Sequence, residues 1–190
     1  MKRNPELTRF SISYNLIIGD LMEIFEFISP HKKNLNVFSS KIYSLFLRSC
    51  TEFENLCKFQ LALKRISTKR PEDYKISDYK LLIQSLNLFD KGTKLYHWED
   101  KTDLTIYPFK EFHTSESITW YRDYNKVKHN YREGIEKANL ENLIYSIAGL
   151  TITGWTVYNH KYFYPLAKSR FISASHNEIL PELSIFSFID

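Results

Sequence analysis

Residues 120–148 read WYRDYNKVKHNYREGIEKANLENLIYSIA, and their spacing gathers the side chains suited to acid–base and phosphate chemistry on one helical face. At about 100° per residue, with Arg122 at zero, Lys126, Glu133, His129 and Asn125 fall near roughly 40°, 20°, 340° and 300°. Trp120, Tyr124, Val127 and Tyr131 gather between roughly 140° and 200°, so the pattern predicts an aromatic inner face and a polar outer one. A histidine at position 129 can give or take a proton near neutral pH. Arg122 offers a fork of donors matched to a phosphate, and Asn125 can orient a hydroxyl or a phosphate oxygen. Lys128, on one flank, adds positive potential. These groups suit attack of an RNA 2′-hydroxyl on its own phosphodiester, with Arg122 stabilising the pentavalent centre and no metal or other cofactor required. One helix supplies one proton carrier, so the second would come from His129 of a two-fold partner. The plain alternative is a solvated helix face. Against it stands Asn125, a poor helix former in mid-helix, which a site role would explain.

Several elements must hold that helix in place. Residues 13–28 carry Leu16, Ile17, Leu21, Ile24, Phe25 and Ile28 at three-four spacing, which predicts a helix stopped by Ser29-Pro30. Residues 37–67 form the longest predicted helix, with Ile42, Leu45, Phe46, Cys50, Phe53, Leu56 and Cys57 on one stripe. Arg48 and Glu52 flank that stripe four residues apart, either as an intrahelical ion pair or as the lining of a polar pocket. Ser77-Asp78 would cap a helix running to about residue 89, with Asp90-Lys91-Gly92 as a glycine stop. Residues 94–109 read as a hairpin whose second strand Pro108 confines to an edge. Thr114 or Ser115 would cap the motif helix and Gly134 would break or bend it. A last helix is expected from about 139 to 162, limited by Pro165. The hydrophobic tail 176–190 should pack on the body or on a partner. The fold class is therefore all-α: a bundle of about five helices with a small β-hairpin insertion, as one domain over 1–190 with a C-terminal tail from 171.

Composition narrows the function. Five glycines leave no GxGxxG and no GxxxxGK[ST], so no glycine loop cradles phosphates. Net charge is +4, and the three acids and absent bases of 171–190 leave the first 170 residues at +7. That permits, without requiring, a polyanionic partner. Cys50 and Cys57 lie two turns apart along one helix, about 10 Å, too far for a bond, and read as packed thiols of a cytoplasmic protein. No CxxC, HxxxH or HExxH occurs, so no metal site is expected. The basic start is followed by a stretch interrupted by Asp20 and Glu23, unlike a signal peptide, and the uncharged run 142–160 is too polar for a membrane span.

Arg122-Asp123, five further residues and His129 resemble the Arg-x4–6-His motif of the HEPN superfamily, in which a polar residue often follows the arginine. FSSKIYSLFLRSCTEFENLCK, YNKVKHNYRE and ANLENLIYSIAGL are similar to a set of uncharacterised bacterial proteins with that bundle. The likeness covers residues 37–58 and 120–150. It implies a helical, often homodimeric, metal-independent endoribonuclease of the toxin–antitoxin or phage-defence kind, with RNA as substrate and an antitoxin or other protein as partner. It raises Asn125, Lys128 and His129 within the Tyr-Asn-x-Val-Lys-His core, with Asp123 and Lys126 in support and Arg48 and Glu52 completing the site. The same resemblance admits a non-catalytic module that binds a nucleotide, RNA or a protein. A purely structural domain docking through its aromatic surface and tail is the third alternative.

Overall fold

The computed structural model describes residues 5–95, 98–99, 104–158 and 186–189. Five long helices run through it: α1 Pro5–Phe25, α2 Ser40–Lys64, α3 Ile76–Ser85, α4 Thr119–His129 and α6 Leu140–Tyr158, with a single turn, α5 Tyr131–Gly134, before the last. Three short strands, β1 Gly92–Leu95, β2 Thr105–Ile106 and β3 Phe186–Ile189, complete it. The class is all-α with a small antiparallel β element.

α2 and α6 lie parallel at the centre. Ser49 and Ser146 exchange a buried 2.7 Å hydrogen bond between them, and Phe38 bridges Asn139 where both begin. Small hydroxyl residues at that contact let the two helices approach closely. α1 crosses one side of the pair antiparallel to both: Tyr14 meets Thr151 at 2.9 Å, Phe10 packs on Tyr158, and Asp20 and Glu23 pair with Arg48 and Lys41. α4 lies antiparallel on the opposite side, its Tyr121 against Glu54 of α2 and its Asp123 against Asn142 of α6. One end of the bundle therefore collects the C-termini of α1 and α4 and the N-termini of α2 and α6.

The helix ends differ from the sequence pattern for local reasons. α1 starts at Pro5 rather than 13, since proline is at home in a first turn. α2 begins at Ser40, where the Ser39 hydroxyl accepts the Ile42 N–H, and it stops at Arg65 in the left-handed region (φ 53°). Buried Asp78 reaches back to the Lys75 N–H at 2.9 Å and holds Lys69 at 2.8 Å, so the cap of α3 comes from its third residue. α3 ends about four residues early, and the stop is Asn87 (φ 55°), not Gly92. Gly92 instead opens β1, where a Cβ would come within 2.6 Å of the Tyr107 ring.

β1 pairs antiparallel with β2 (Thr93 opposite Ile106), and β2 is an edge strand, as expected, ending at Ile106 before Pro108 is reached. β1 also pairs with β3, with Gly92 opposite Ile189 and Leu95 opposite Phe186, so the end of the tail returns to the body. The expected limit at Pro165 and the hairpin's charged turn at 100–103 lie outside the described residues. Among the described residues no helix is long and apolar enough to cross a membrane.

Candidate functional site

α4 starts later than a cap at Thr114 or Ser115 would place it, with Ile118 as its cap residue. Lys110–His113 first form a 3-10 turn, which ends at Thr114. No side chain of the cap residue Ile118 closes the helix. The Glu111 carboxylate does so from outside, accepting the Thr119 N–H at 3.1 Å and its hydroxyl at 2.8 Å, a negative charge placed at the positive helix end. Trp120 then drives into the core at 2% exposure, its indole N–H donating to the Pro108 carbonyl at 2.9 Å. Its ring lies over Gly149, where a Cβ would be 3.3 Å from it and 3.2 Å from Phe109.

Arg122 belongs to this anchored end. It donates to the Ser117 carbonyl at 3.1 Å and to the Thr119 hydroxyl at 2.8 Å, and it lies 3.5 Å from Glu111. Its guanidinium is thereby turned back along the helix, whereas His129 stands seven residues on, about 10 Å of rise. The structure does not bring the two together within one chain.

Asp123 points inward and is 9% exposed. It accepts from the Asn142 amide at 3.1 Å, and that amide also donates to the Lys137 carbonyl at 2.8 Å. The pair ties α4 to the start of α6. Lys126 lies 3.4 Å from the other Asp123 oxygen with most of its side chain in solvent.

The inner flank holds a cluster that the sequence reading passed over. Glu54 of α2, mostly buried, accepts the Tyr121 hydroxyl at 2.6 Å, and its second oxygen lies 3.4 Å from the Tyr124 hydroxyl and 3.8 Å from the Lys128 ammonium. Lys128 also sits 5.0 Å over the Tyr124 ring. Burial, then the bond to Glu54, pushes the Tyr121 hydroxyl well above the ordinary tyrosine value. Burial does the same for Tyr124, against bonds to Thr51 and Lys128 that pull it down. The Tyr124 bond raises Lys128 despite its partial burial, and the Glu54 charge adds to that, so the ammonium stays charged. The signal was present: Tyr121, Tyr124 and Lys128 recur at three and four on one flank, opposite Glu54, one of two acids on the long helix. Nothing in one sequence aligns the two helices.

Arg48 and Glu52 are on the far side. Two residues of helix put Glu52 about 160° from Glu54. Arg48 pairs with Asp20 and donates to the Leu16 carbonyl of α1. Glu52 lines a cavity of about 250 Å³ with Glu6, Arg9, Lys58 and Tyr158. Neither the expected Arg48–Glu52 ion pair nor their approach to α4 is formed.

The open end of α4 is different again. His129 is its last residue, exposed, with no hydrogen bond or ion pair to a described residue; Asn125, one turn back, is half-buried. The helix breaks at Asn130 (φ −144°, ψ 83°) rather than at Gly134. α5 then folds back against α4, where a Cβ on Gly134 would lie 3.4 Å from the Val127 Cα, an ordinary contact. That break corrects the helical wheel beyond residue 129. Tyr131 leaves the aromatic core face, standing 48% exposed with its ring edge-to-face with Tyr43 at 4.8 Å.

Among the described residues no three His, Cys, Asp or Glu side chains converge as a metal site. Cys50 and Cys57 are buried with no disulfide, and burial raises both thiols. Comparison with protein-family models, with curated proteins and with solved structures gave no match.

Proposed function

We propose that the protein is a HEPN-type, metal-independent endoribonuclease of the toxin or phage-defence kind, acting as a homodimer. The observation that carries this reading is the uncommitted His129 at the open end of α4, beside Asn125, on a helix otherwise fastened at every turn. His129 takes the proton of an RNA 2′-hydroxyl, the oxygen bonds to phosphorus, and the bond to the 5′-oxygen breaks. His129 of a second copy returns a proton to that leaving oxygen. Lys126 and Lys128 offset phosphate charge, and Asn125 orients the hydroxyl. Arg122 joins them by acting across the two-fold axis, where the separation within one chain no longer applies. Two free, buried thiols fit a cytoplasmic setting, with RNA as substrate and an antitoxin or other protein as the controlling partner.

The commitment of Arg122 to Ser117, Thr119 and Glu111 favours a second reading, a non-catalytic module of the same type that binds a nucleotide, RNA or a protein. One assay separates them: purified protein with mixed RNA in EDTA, beside His129→Ala. The nuclease reading expects 2′,3′-cyclic phosphate ends from the wild type alone. RNA bound in a salt-sensitive way but left intact sinks the nuclease and keeps the module.

A further inference from the structure

We propose that the end of the bundle around His129 is a stacking platform for unpaired bases, so that the RNA taken by the site is single-stranded. The inference rests on the RNA reading above and narrows it. Among the described residues the large hydrophobics with more than a third of their surface exposed include three aromatics, Phe27, Phe38 and Tyr131, at 80%, 49% and 48%. All three lie at one end. Phe27 follows the C-terminus of α1, Phe38 precedes α2 and bridges Asn139 before α6, and Tyr131 follows the C-terminus of α4. The aliphatic exposures, Ile12, Leu16, Leu63 and Leu81, are on helix flanks and elsewhere.

Positive charge is interleaved with those rings. Lys32, Lys33, Lys126, Arg132 and Lys137 are exposed on the same end, against Glu26, Glu99 and Glu136, with Glu23 paired to Lys41. From 126 to 137 the chain carries four basic residues and two acidic ones. Exposed rings set among cations match what a single strand presents, unstacked base faces along an anionic backbone. A duplex buries its base faces against one another and would leave the rings facing water. The break of α4 at Asn130 is what lifts Tyr131 out of the core and onto this surface, two residues past His129.

The test uses the full chain carrying His129→Ala, so that RNA is bound without being cut. Its affinity is measured for a short mixed-sequence single strand and for that strand annealed to its complement, over a salt series. The expected result is tighter binding of the single strand by about fivefold or more. Tyr131→Ala and Phe38→Ala should each weaken it by about fivefold or more at unchanged salt slope, with Tyr131→Phe retaining affinity. Lys137→Ala should instead flatten the slope by about 0.7. Equal binding of duplex, or aromatic variants that bind like their parent, overturns the platform and leaves the RNA reading standing. Failure of either RNA form to bind overturns both.

Discussion

In the first turn of α4 every polar group is spent on structure: Glu111 closes the helix, Thr119 takes it up, and Arg122 folds back onto both. In the last turn His129 has no described partner, and the chain leaves the helix at once through Asn130. Along one eleven-residue helix the first turn is thus committed to structure, whereas beyond the lysines held by Asp123 and Glu54 the terminal His129 is not. A buried carboxylate on either flank, Glu54 toward α2 and Asp123 toward α6, holds the middle in place. The difference teaches that a polar stripe is not a site as a unit. Its fixed end sets the position of the other, and the free end is where a ligand can compete with water alone.

That contrast should appear as a gradient of stability along α4, read from urea or thermal unfolding. Trp120→Ala removes a ring enclosed by Phe53, Phe109 and Gly149 and should cost about 3–5 kcal/mol. A loss no greater than a surface change would mean the anchored end is not anchored. Asp123→Ala leaves the Asn142 amide short of an acceptor at a buried contact, at a cost of about 1–3 kcal/mol. Tyr121→Phe deletes the short bond to Glu54 and should cost about 1 kcal/mol near neutral pH.

The same substitution has a pH signature. Burial first, and Glu54 second, hold the Tyr121 and Tyr79 hydroxyls above the ordinary tyrosine value. A raised folded-state pKa gives stability that is whole below the unfolded value, about pH 10, and is lost as pH climbs beyond it. The alkaline decline should therefore shrink in Tyr121→Phe, and an unchanged decline would remove Tyr121 from its cause. Arg122→Ala, with a half-exposed guanidinium, should cost under about 1 kcal/mol. His129→Ala comes last and should leave stability within about 0.5 kcal/mol while abolishing RNA cleavage. A large stability loss at 129 would erase the distinction between the two ends.

Much of the frame was legible from spacing alone. The apolar stripes of residues 13–28, 37–67 and 139–162 marked the helices that the core uses, because burial on one face imposes a 3.6-residue period whatever the neighbours are. The hairpin and its edge strand followed from β-rich runs around a charged turn and from Pro108. Boundaries were less legible, because caps are set by groups distant in sequence: Glu111 for Thr119, Asp78 for Lys75, Asn87 in place of a glycine. The motif helix was readable as two-faced up to His129 and misread after it, where the backbone turns at Asn130.

By itself, then, the sequence determined the all-helical class, the inward aromatic face of α4, and the presence of His129 and Asn125 on its outward face, since periodicity is a property of one helix. Only the tertiary structure decided which polar residues remained available. It sent Arg48 to α1, Asp123 to Asn142, Lys128 to Glu54 and Arg122 to the helix start, and it lifted Tyr131 into solvent. The reason is physical: a hydrogen bond or ion pair depends on which helix face lies opposite, and relative rotation and register between helices come from packing the whole core, not from any one segment.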